Sequence, residues 1–241
     1  MNELIYLSLI VINILAIFII HGKKLTPNIY VGQTYLYVLL ALLIMSFFTS
    51  TFSQNNMQFG TVQFFLSFIL SLVALFCLFF ISTGNPIIQH SVWLLFILCM
   101  SVIIYPLYQS LSSVDLFRNI MTIVVMMIIL TFIAFSDKQK MFLSWGGYLF
   151  VGLSTLIVFE ILDMIFFHQT TNTRSKLYSI VGLAVFMGFV LYDTQRIQVN
   201  AVDVIKNCTS NVSCANYPVE SLGLFLDVIN LFENISQLNR K

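Results

Sequence analysis

Two aspartates lie inside the last two apolar segments of this 241-residue chain, Asp193 within GFVLYDTQRI and Asp227 within SLGLFLDVINLF. A charged side chain is costly at membrane depth, and one that occurs there usually faces the interior of a helix bundle or a water-filled cavity. Such residues commonly mark routes for ions or protons. We therefore take these two aspartates as the candidate functional site.

The composition of the chain is that of a membrane protein, because 59% of its residues are hydrophobic and only 9% are charged. Its net charge of +1 offers no basic surface to a nucleic acid. Apolar runs long enough to cross a bilayer recur at 4–20, 34–52, 62–81, 92–108, 116–135, 143–167, 177–197 and 219–235. Most of the connectors are too short to hold a soluble domain. The sequence predicts an all-α, polytopic membrane helical bundle whose principal partner is the lipid bilayer.

The first run, 4–20, is predicted to be an uncleaved membrane helix. A secretory signal has positive charge before its apolar run, whereas here the basic pair Lys23 and Lys24 follows the run. By the positive-inside rule this pair places its connector in the cytosol and the N-terminus across the membrane. The same threading makes the connector with Lys138 and Lys140 cytosolic.

Acidic residues outnumber basic ones inside the predicted helices. Between Lys24 and Arg118 there is no lysine or arginine, while Glu160 and Asp163 lie in the sixth run and Arg196 is the only cation at comparable depth. An interior with surplus carboxylates attracts cations. A position at a helix end fits Glu160 and Asp163 as well as a role in a pore.

The last helix is predicted to carry one polar face. At 100° per residue, Glu220, Asn230 and Asn234 fall within about a quarter-turn of Asp227. These three residues are the weaker candidates for lining a pore.

The two signature segments, VGLAVFMGFVLYDTQRI and YPVESLGLFLDVINLFENI, resemble those of the Bax-inhibitor family, also called the transmembrane Bax inhibitor motif or lifeguard family. The similarity extends over roughly residues 30–241. It implies a seven-helix domain wrapped around a central C-terminal helix. Residues 1–29 would then form an extra N-terminal transmembrane helix and its connector.

The resemblance also implies a function, namely a pH-sensitive leak channel through which calcium is the permeant ion. Asp193 and Asp227 would pair across facing helices, share one proton and gate the pore, binding calcium transiently when the proton leaves. No cofactor is implied. Eukaryotic and viral members are associated with suppression of cell death from the endoplasmic reticulum or Golgi, and bacterial members with the inner membrane. Cell-death regulators and other membrane proteins are the implied protein partners.

Other interpretations stay open at this point. Asp193 could be a helix-end carboxylate paired with Arg196, three residues on, and Asp227 could serve only as a structural hydrogen-bonding group. An intramembrane aspartyl protease would need glycines before its second aspartate, whereas Leu224, Phe225 and Leu226 precede Asp227 here. A non-enzymatic and non-conducting protein that binds cell-death regulators or a membrane protease is the main alternative.

The chain departs from the family pattern at two places. The basic residue that locks the first aspartate in some bacterial relatives is missing, and that region offers only His90. The connector between the signature helices is longer than usual and carries Cys208, Cys214 and the sequons NCT and NVS. Glycosylation there would require the opposite topology. None of the cysteines lies in a pattern of metal ligands.

Overall fold

A computed structural model describes residues 3–21, 24–81, 85–167, 172–207 and 215–239. These residues form eight α-helices and one short 3₁₀ helix, and no strand occurs among them. The predicted all-α class is confirmed. The helices are α1 (Glu3–His21), α2 (Pro27–Gln54), α3 (Thr61–Phe80), α4 (Pro86–Ser110), α5 (Ser113–Ser136), α6 (Gly146–Phe167), α7 (Asn172–Asn207) and α8 (Tyr217–Asn239), and the 3₁₀ helix is Met141–Trp145.

Local chemistry explains several of the helix boundaries. Thr26 caps α2, its hydroxyl oxygen accepting a hydrogen bond from the peptide N–H of Ile29, and Pro27 occupies the first turn, where its missing N–H costs nothing. Ser112 caps α5 in the same way by accepting from the N–H of Asp115. These caps place the helix starts several residues before the apolar runs begin, because capping residues are polar.

The predicted start of the last connector was wrong. The polar segment from residue 198 was expected to be a connector, but α7 continues to Asn207 and so is 36 residues long. Ala201 is fully buried in this extension, and the amide of Asn200 donates to Glu220 in the first turn of α8 at 3.0 Å. Burial on one side and this hydrogen bond stabilise a helix whose composition is polar enough to suggest a loop.

Seven of the described helices, α1 to α7, are long and apolar enough to cross a membrane. The protein is therefore a multi-pass membrane protein with a lipid bilayer as its surroundings. The eighth helix, α8, is not among the seven, and it carries three acidic residues, one of them Asp227. Of its 23 residues only Glu233 and Asn239 are exposed.

The chain divides into two compact units, Met1–Ser110 with Ile197–Phe225, and Leu111–Arg196 with Leu226–Lys241. In the first unit α1 packs on α2, while α2 and α3 both pack on α4. Tyr37 of α2 stacks on Tyr217 of α8 and meets the edge of Trp93 of α4. His90 lies beside Tyr37, with 2.9 Å between its Nε2 and the tyrosine hydroxyl, and its Nδ1 is 2.7 Å from a backbone carbonyl. Both imidazole nitrogens therefore have partners.

In the second unit α7 approaches its neighbours closely through glycines. A Cβ atom on Gly182 would lie 2.5 Å from Oδ1 of Asn234 in α8. A Cβ atom on Gly188 would lie at the same distance from a methyl group of Leu149 in α6. Small residues allow membrane helices to pack at short distance. These contacts bring the polar residues of α7 and α8 within hydrogen-bonding reach.

Candidate functional site: a buried carboxyl pair

The structure brings Asp193 of α7 and Asp227 of α8 together in the second unit. Each residue is only 5% exposed, and their carboxyl groups lie close enough to interact with each other. An ionised carboxylate can only accept hydrogen bonds, so a bond between two carboxyl groups requires a proton on one of them. The arrangement therefore suits a pair that holds one proton.

Asp227 has one poorly solvated carboxyl oxygen. No N–H or hydroxyl group of the described residues donates to its buried Oδ2. A buried charge without hydrogen-bond donors is unfavourable. The shared proton therefore matters more for Asp227 than for its partner.

Arg196 compensates Asp193 from the outer side. Its Nη1 lies 3.3 Å from Oδ1 of Asp193, and 38% of the arginine side chain is exposed against 7% of the aspartate side chain. The guanidinium carbon also lies 5.9 Å from the centre of the Tyr192 ring. The ion pair between residues three apart on α7 is therefore present, and Asp193 contacts Asp227 in addition.

The turn of α7 that carries Asp193 also contacts the connector between α5 and α6. The Gln195 side chain is fully buried and donates to a carboxylate oxygen of Asp137 at 2.9 Å. This hydrogen bond lowers the pKa of Asp137 below its ordinary value, and bonds from two peptide N–H groups of the connector act in the same direction. Gln195 and Asp137 were not predicted from the sequence. The only sequence signal is a glutamine two residues after Asp193, and its burial becomes visible only in the structure.

The three weaker candidates behave differently from one another. Glu220 lies in the first unit and accepts hydrogen bonds from Asn200. In the second unit, the amides of Asn230 and Asn234 each donate to a carbonyl oxygen one turn earlier in α8, and Asn234 packs on Gly182. A pore-lining role for these residues stays a prediction.

The acidic residues of α6 lie near residues other than the pair. Asp163 is buried and forms an ion pair with Arg174 of α7, at 3.0 Å between Oδ1 and Nη1. Glu160 is exposed and is repelled electrostatically by Glu233 of α8. Asp163 is therefore a buried aspartate with a different partner, which makes it a useful comparison for the pair.

The cysteines of the long connector, Cys208 and Cys214, lie outside the described residues, as does most of the two sequons. Cys77 and Cys99 are free thiols. Within the described ranges no three His, Cys, Asp or Glu side chains converge in a way that could hold a metal ion. Two carboxyl groups supply fewer oxygens than the six to eight that calcium usually takes.

A family model described as "Inhibitor of apoptosis-promoting Bax1" matches residues 27–240 of this chain. The chain belongs to the Bax inhibitor family. The resemblance inferred from the two signature helices is thereby confirmed. The match begins at the first residue of α2, so that α1 precedes it.

Curated relatives match shorter segments. A "Probable Bax inhibitor 1" from Paralichthys olivaceus is 32% identical over 111 residues, which is 46% of this chain and 42% of that protein. A "Golgi anti-apoptotic protein" of Vaccinia virus (strain Lister) is 29% identical over 102 residues, or 42% of this chain and 37% of that protein. An uncharacterized protein of Borreliella burgdorferi is 34% identical over 97 residues, or 40% and 38%. The matched segments thus span well under half the length of these relatives.

Proposed function

We propose that this protein is a pH-sensitive, calcium-permeable leak channel of the Bax-inhibitor type, in which Asp193 and Asp227 form the gate. The observation that supports the proposal is the close approach of two buried carboxyl groups on different helices. A hydrogen bond between them exists only while the pair holds a proton. The contact between α7 and α8 at this level then depends on pH.

Electrostatics gives the size of the switch. With the proton in place, the two carboxyl groups attract each other and hold α7 against α8. Without it, two negative charges about 4 Å apart repel each other by about 4 kcal/mol at an effective dielectric constant of 20. A change of that size alters a two-state equilibrium by about a thousandfold. Loss of one proton therefore suffices to move the pair from a mostly closed to a mostly open arrangement.

The unpaired carboxylates would also attract the permeant ion. Carboxylate oxygens are the ligands that calcium prefers, and in the separated pair they become free to bind it transiently. Arg196 stays beside Asp193 and offsets part of its charge. This leaves Asp227 as the stronger site for a passing cation. The proposed channel is not an enzyme and needs no cofactor.

We also propose a role in modulating cell death or calcium homeostasis. The family model is described by inhibition of apoptosis, and the Vaccinia relative is named an anti-apoptotic protein of the Golgi. A leak of calcium from a storage compartment is a direct way to influence cell death. The proposed location is the endoplasmic reticulum or Golgi membrane in a eukaryotic or viral setting and the inner membrane in a bacterium. Cell-death regulators are the proposed protein partners.

The proposal is tested by calcium flux into liposomes that contain the purified protein, measured from about pH 6 to pH 8. Asp227→Asn should flatten the pH dependence, because an asparagine can hold the hydrogen bond at every pH in this range. Asp193→Asn should act in the same direction. Asp163→Asn is the matched control, since Asp163 is as buried as the pair but bonds to Arg174.

Three results would contradict the proposal. An unchanged pH profile in Asp227→Asn would refute gating by the pair. Liposomes that pass no calcium at any pH would refute the channel and favour the non-conducting interaction protein. Equal flattening by Asp163→Asn would show that the loss of any buried charge has this effect.

A further inference from the structure

The connector between α5 and α6 is joined to α7 by hydrogen bonds of a single side chain. The Nε2 atom of Gln195 lies 2.9 Å from Oδ2 of Asp137 and 3.3 Å from the carbonyl oxygen of Ala134, the last turn of α5. Asp137 in turn accepts from the peptide N–H groups of Gln139 and Met141 at 3.0 and 2.7 Å. The half-buried carboxylate of Asp137 thus accepts hydrogen bonds both from the connector and from a buried glutamine of α7.

A second contact joins the same connector to α7 one residue before Asp193. The ring of Tyr192 lies against Gly146, where α6 begins, and a Cβ atom there would be 2.6 Å from the ring. The guanidinium carbon of Arg196 lies 5.9 Å from the centre of the same ring. Tyr192 therefore contacts both the start of α6 and the arginine that pairs with Asp193.

Both contacts lie on the side of α7 that faces away from Asp193. At 100° per residue, Tyr192 and Gln195 point about 100° and 160° away from Asp193, in the same direction around the helix. Asp193 faces α8, while its neighbours face the connector. The turn is held from several sides, so a shift of the connector would move the carboxyl group toward or away from Asp227.

We infer that Asp137 is a positioning residue for the carboxyl pair: through Gln195 it fixes the turn of α7 that presents Asp193 to Asp227. The inference rests on the proposed function, because it assigns a further residue to the same switch. Asp137 touches neither member of the pair, so its effect passes through the hydrogen bond to Gln195. The connector becomes the part of the protein from which the pH response can be adjusted.

The charges around Asp137 keep this contact constant while the pair titrates. The pKa of Asp137 is lowered by the bond from Gln195, and the ammonium group of Lys140 on the same connector acts in the same direction. From α7 the neutral amide of Gln195 faces it. A carboxyl group with a lowered pKa stays ionised throughout the range from pH 6 to 8. Asp137 therefore acts as a fixed anchor there, and the change of charge is left to the pair.

The test compares Gln195→Met, which removes the hydrogen bond but leaves all charges, with Asp137→Asn, which removes a charge and leaves one acceptor oxygen for Gln195 and the two peptide N–H groups to share. The control is Asp115→Asn, because Asp115 is, like Asp137, a half-buried aspartate of the second unit and bonds to Ser112 and Arg118. Two readouts are followed from pH 6 to 8 in the full-length protein. One is calcium flux in liposomes, and the other is the infrared band of a protonated carboxyl group, assigned to the pair by its loss in Asp227→Asn.

We expect both variants to move the midpoint of both profiles to lower pH, because a loosened turn weakens the bond that retains the proton. The expected shift is about half a pH unit, or roughly threefold in proton concentration, which is what one hydrogen bond is worth. Asp115→Asn should leave the midpoint in place. If Asp137 only caps the connector, Gln195→Met and Asp137→Asn will lower thermal stability without moving either midpoint, and the inference is overturned.

The two proposals fail in distinguishable ways. If liposomes pass no calcium but the infrared midpoint moves in both variants, the channel is refuted while the positioning role holds. If the infrared and flux midpoints stay in place in both variants while Asp227→Asn still abolishes the pH response, only the positioning role is refuted. Should Gln195→Met fail to fold, Asp137→Asn on the accessible connector carries the test, with Asp115→Asn accounting for the lost charge.

Discussion

Replacement of Gly182 by alanine should destabilise the contact between α7 and α8. A Cβ atom at this position would lie 2.5 Å from Oδ1, 3.0 Å from Cγ and 3.1 Å from Nδ2 of Asn234. The whole amide group must therefore move. In the wild type that amide donates to the carbonyl oxygen of Asn230 at 2.7 Å, and the movement breaks this bond.

Two opposing effects set the magnitude. Overpacking of a filled interface costs about 1–3 kcal/mol, a range that includes the roughly 1 kcal/mol of a lost hydrogen bond. Exchange of glycine for alanine inside a helix returns up to about 1 kcal/mol. The variant should therefore lose up to about 2 kcal/mol, and each kcal/mol lowers the melting temperature of a chain this size by roughly 2–4 °C.

Thermal unfolding in detergent measures this loss, with Gly32→Ala as the matched control. Gly32 lies inside α2, and no atom lies within 4 Å of the position of its added Cβ. The control should be as stable as the wild type or more so. Adding Asn234→Ala to Gly182→Ala should restore part of the loss by removing the obstructing amide. If Gly182→Ala melts at the temperature of the control, the tight packing of α7 on α8 is not as described.

Two further predictions concern hydrogen bonds of the second unit. The pKa of Asp137 is lowered from an ordinary value of 3.8, so its carboxylate stabilises the fold above that pH, and the contribution is lost as the pH falls through the lowered value. The difference in stability between wild type and Asp137→Asn, measured by thermal unfolding, should therefore vanish in strong acid. A difference that stays constant with pH would contradict this assignment. Ser236→Ala should cost about 1–3 kcal/mol in the same assay, because it leaves the buried amide of Asn119 without the acceptor that now lies at 3.0 Å. Ser221→Ala, in the same helix, should cost less, since that hydroxyl bonds only to its own helix, and equal losses would argue against the Asn119 contact.

The helices could be predicted from the sequence because a membrane imposes a length and an apolar composition on each of them. Every predicted run coincides with a helix of the structure. The prediction was wrong where this constraint is absent. The end of α7 is polar, and a buried alanine together with one hydrogen bond to α8 keeps it helical.

The site was predictable in part for a similar reason. Asp193 and Asp227 are conspicuous because a carboxyl group is rare in an apolar segment. Gln195 and Asp137 are ordinary residues of a polar helix end and a connector, and their contact joins positions 58 apart. No periodicity encodes such a contact. The sequence predicted that Asn234 lies on a polar face of α8, but it did not predict that this residue packs on Gly182 of α7.

The exposure of Arg196 gives the carboxyl pair a sidedness. The arginine side chain is 38% exposed while paired with Asp193, whereas one buried carboxyl oxygen of Asp227 has no hydrogen-bond donor among the described residues. A hydrogen ion that exchanges with the proposed switch would then arrive past the arginine, from the fluid that bathes the α5–α6 connector. The charge pattern of that connector predicts that this fluid is the cytosol. The proposed switch would thus report the acidity of one compartment and remain blind to the other.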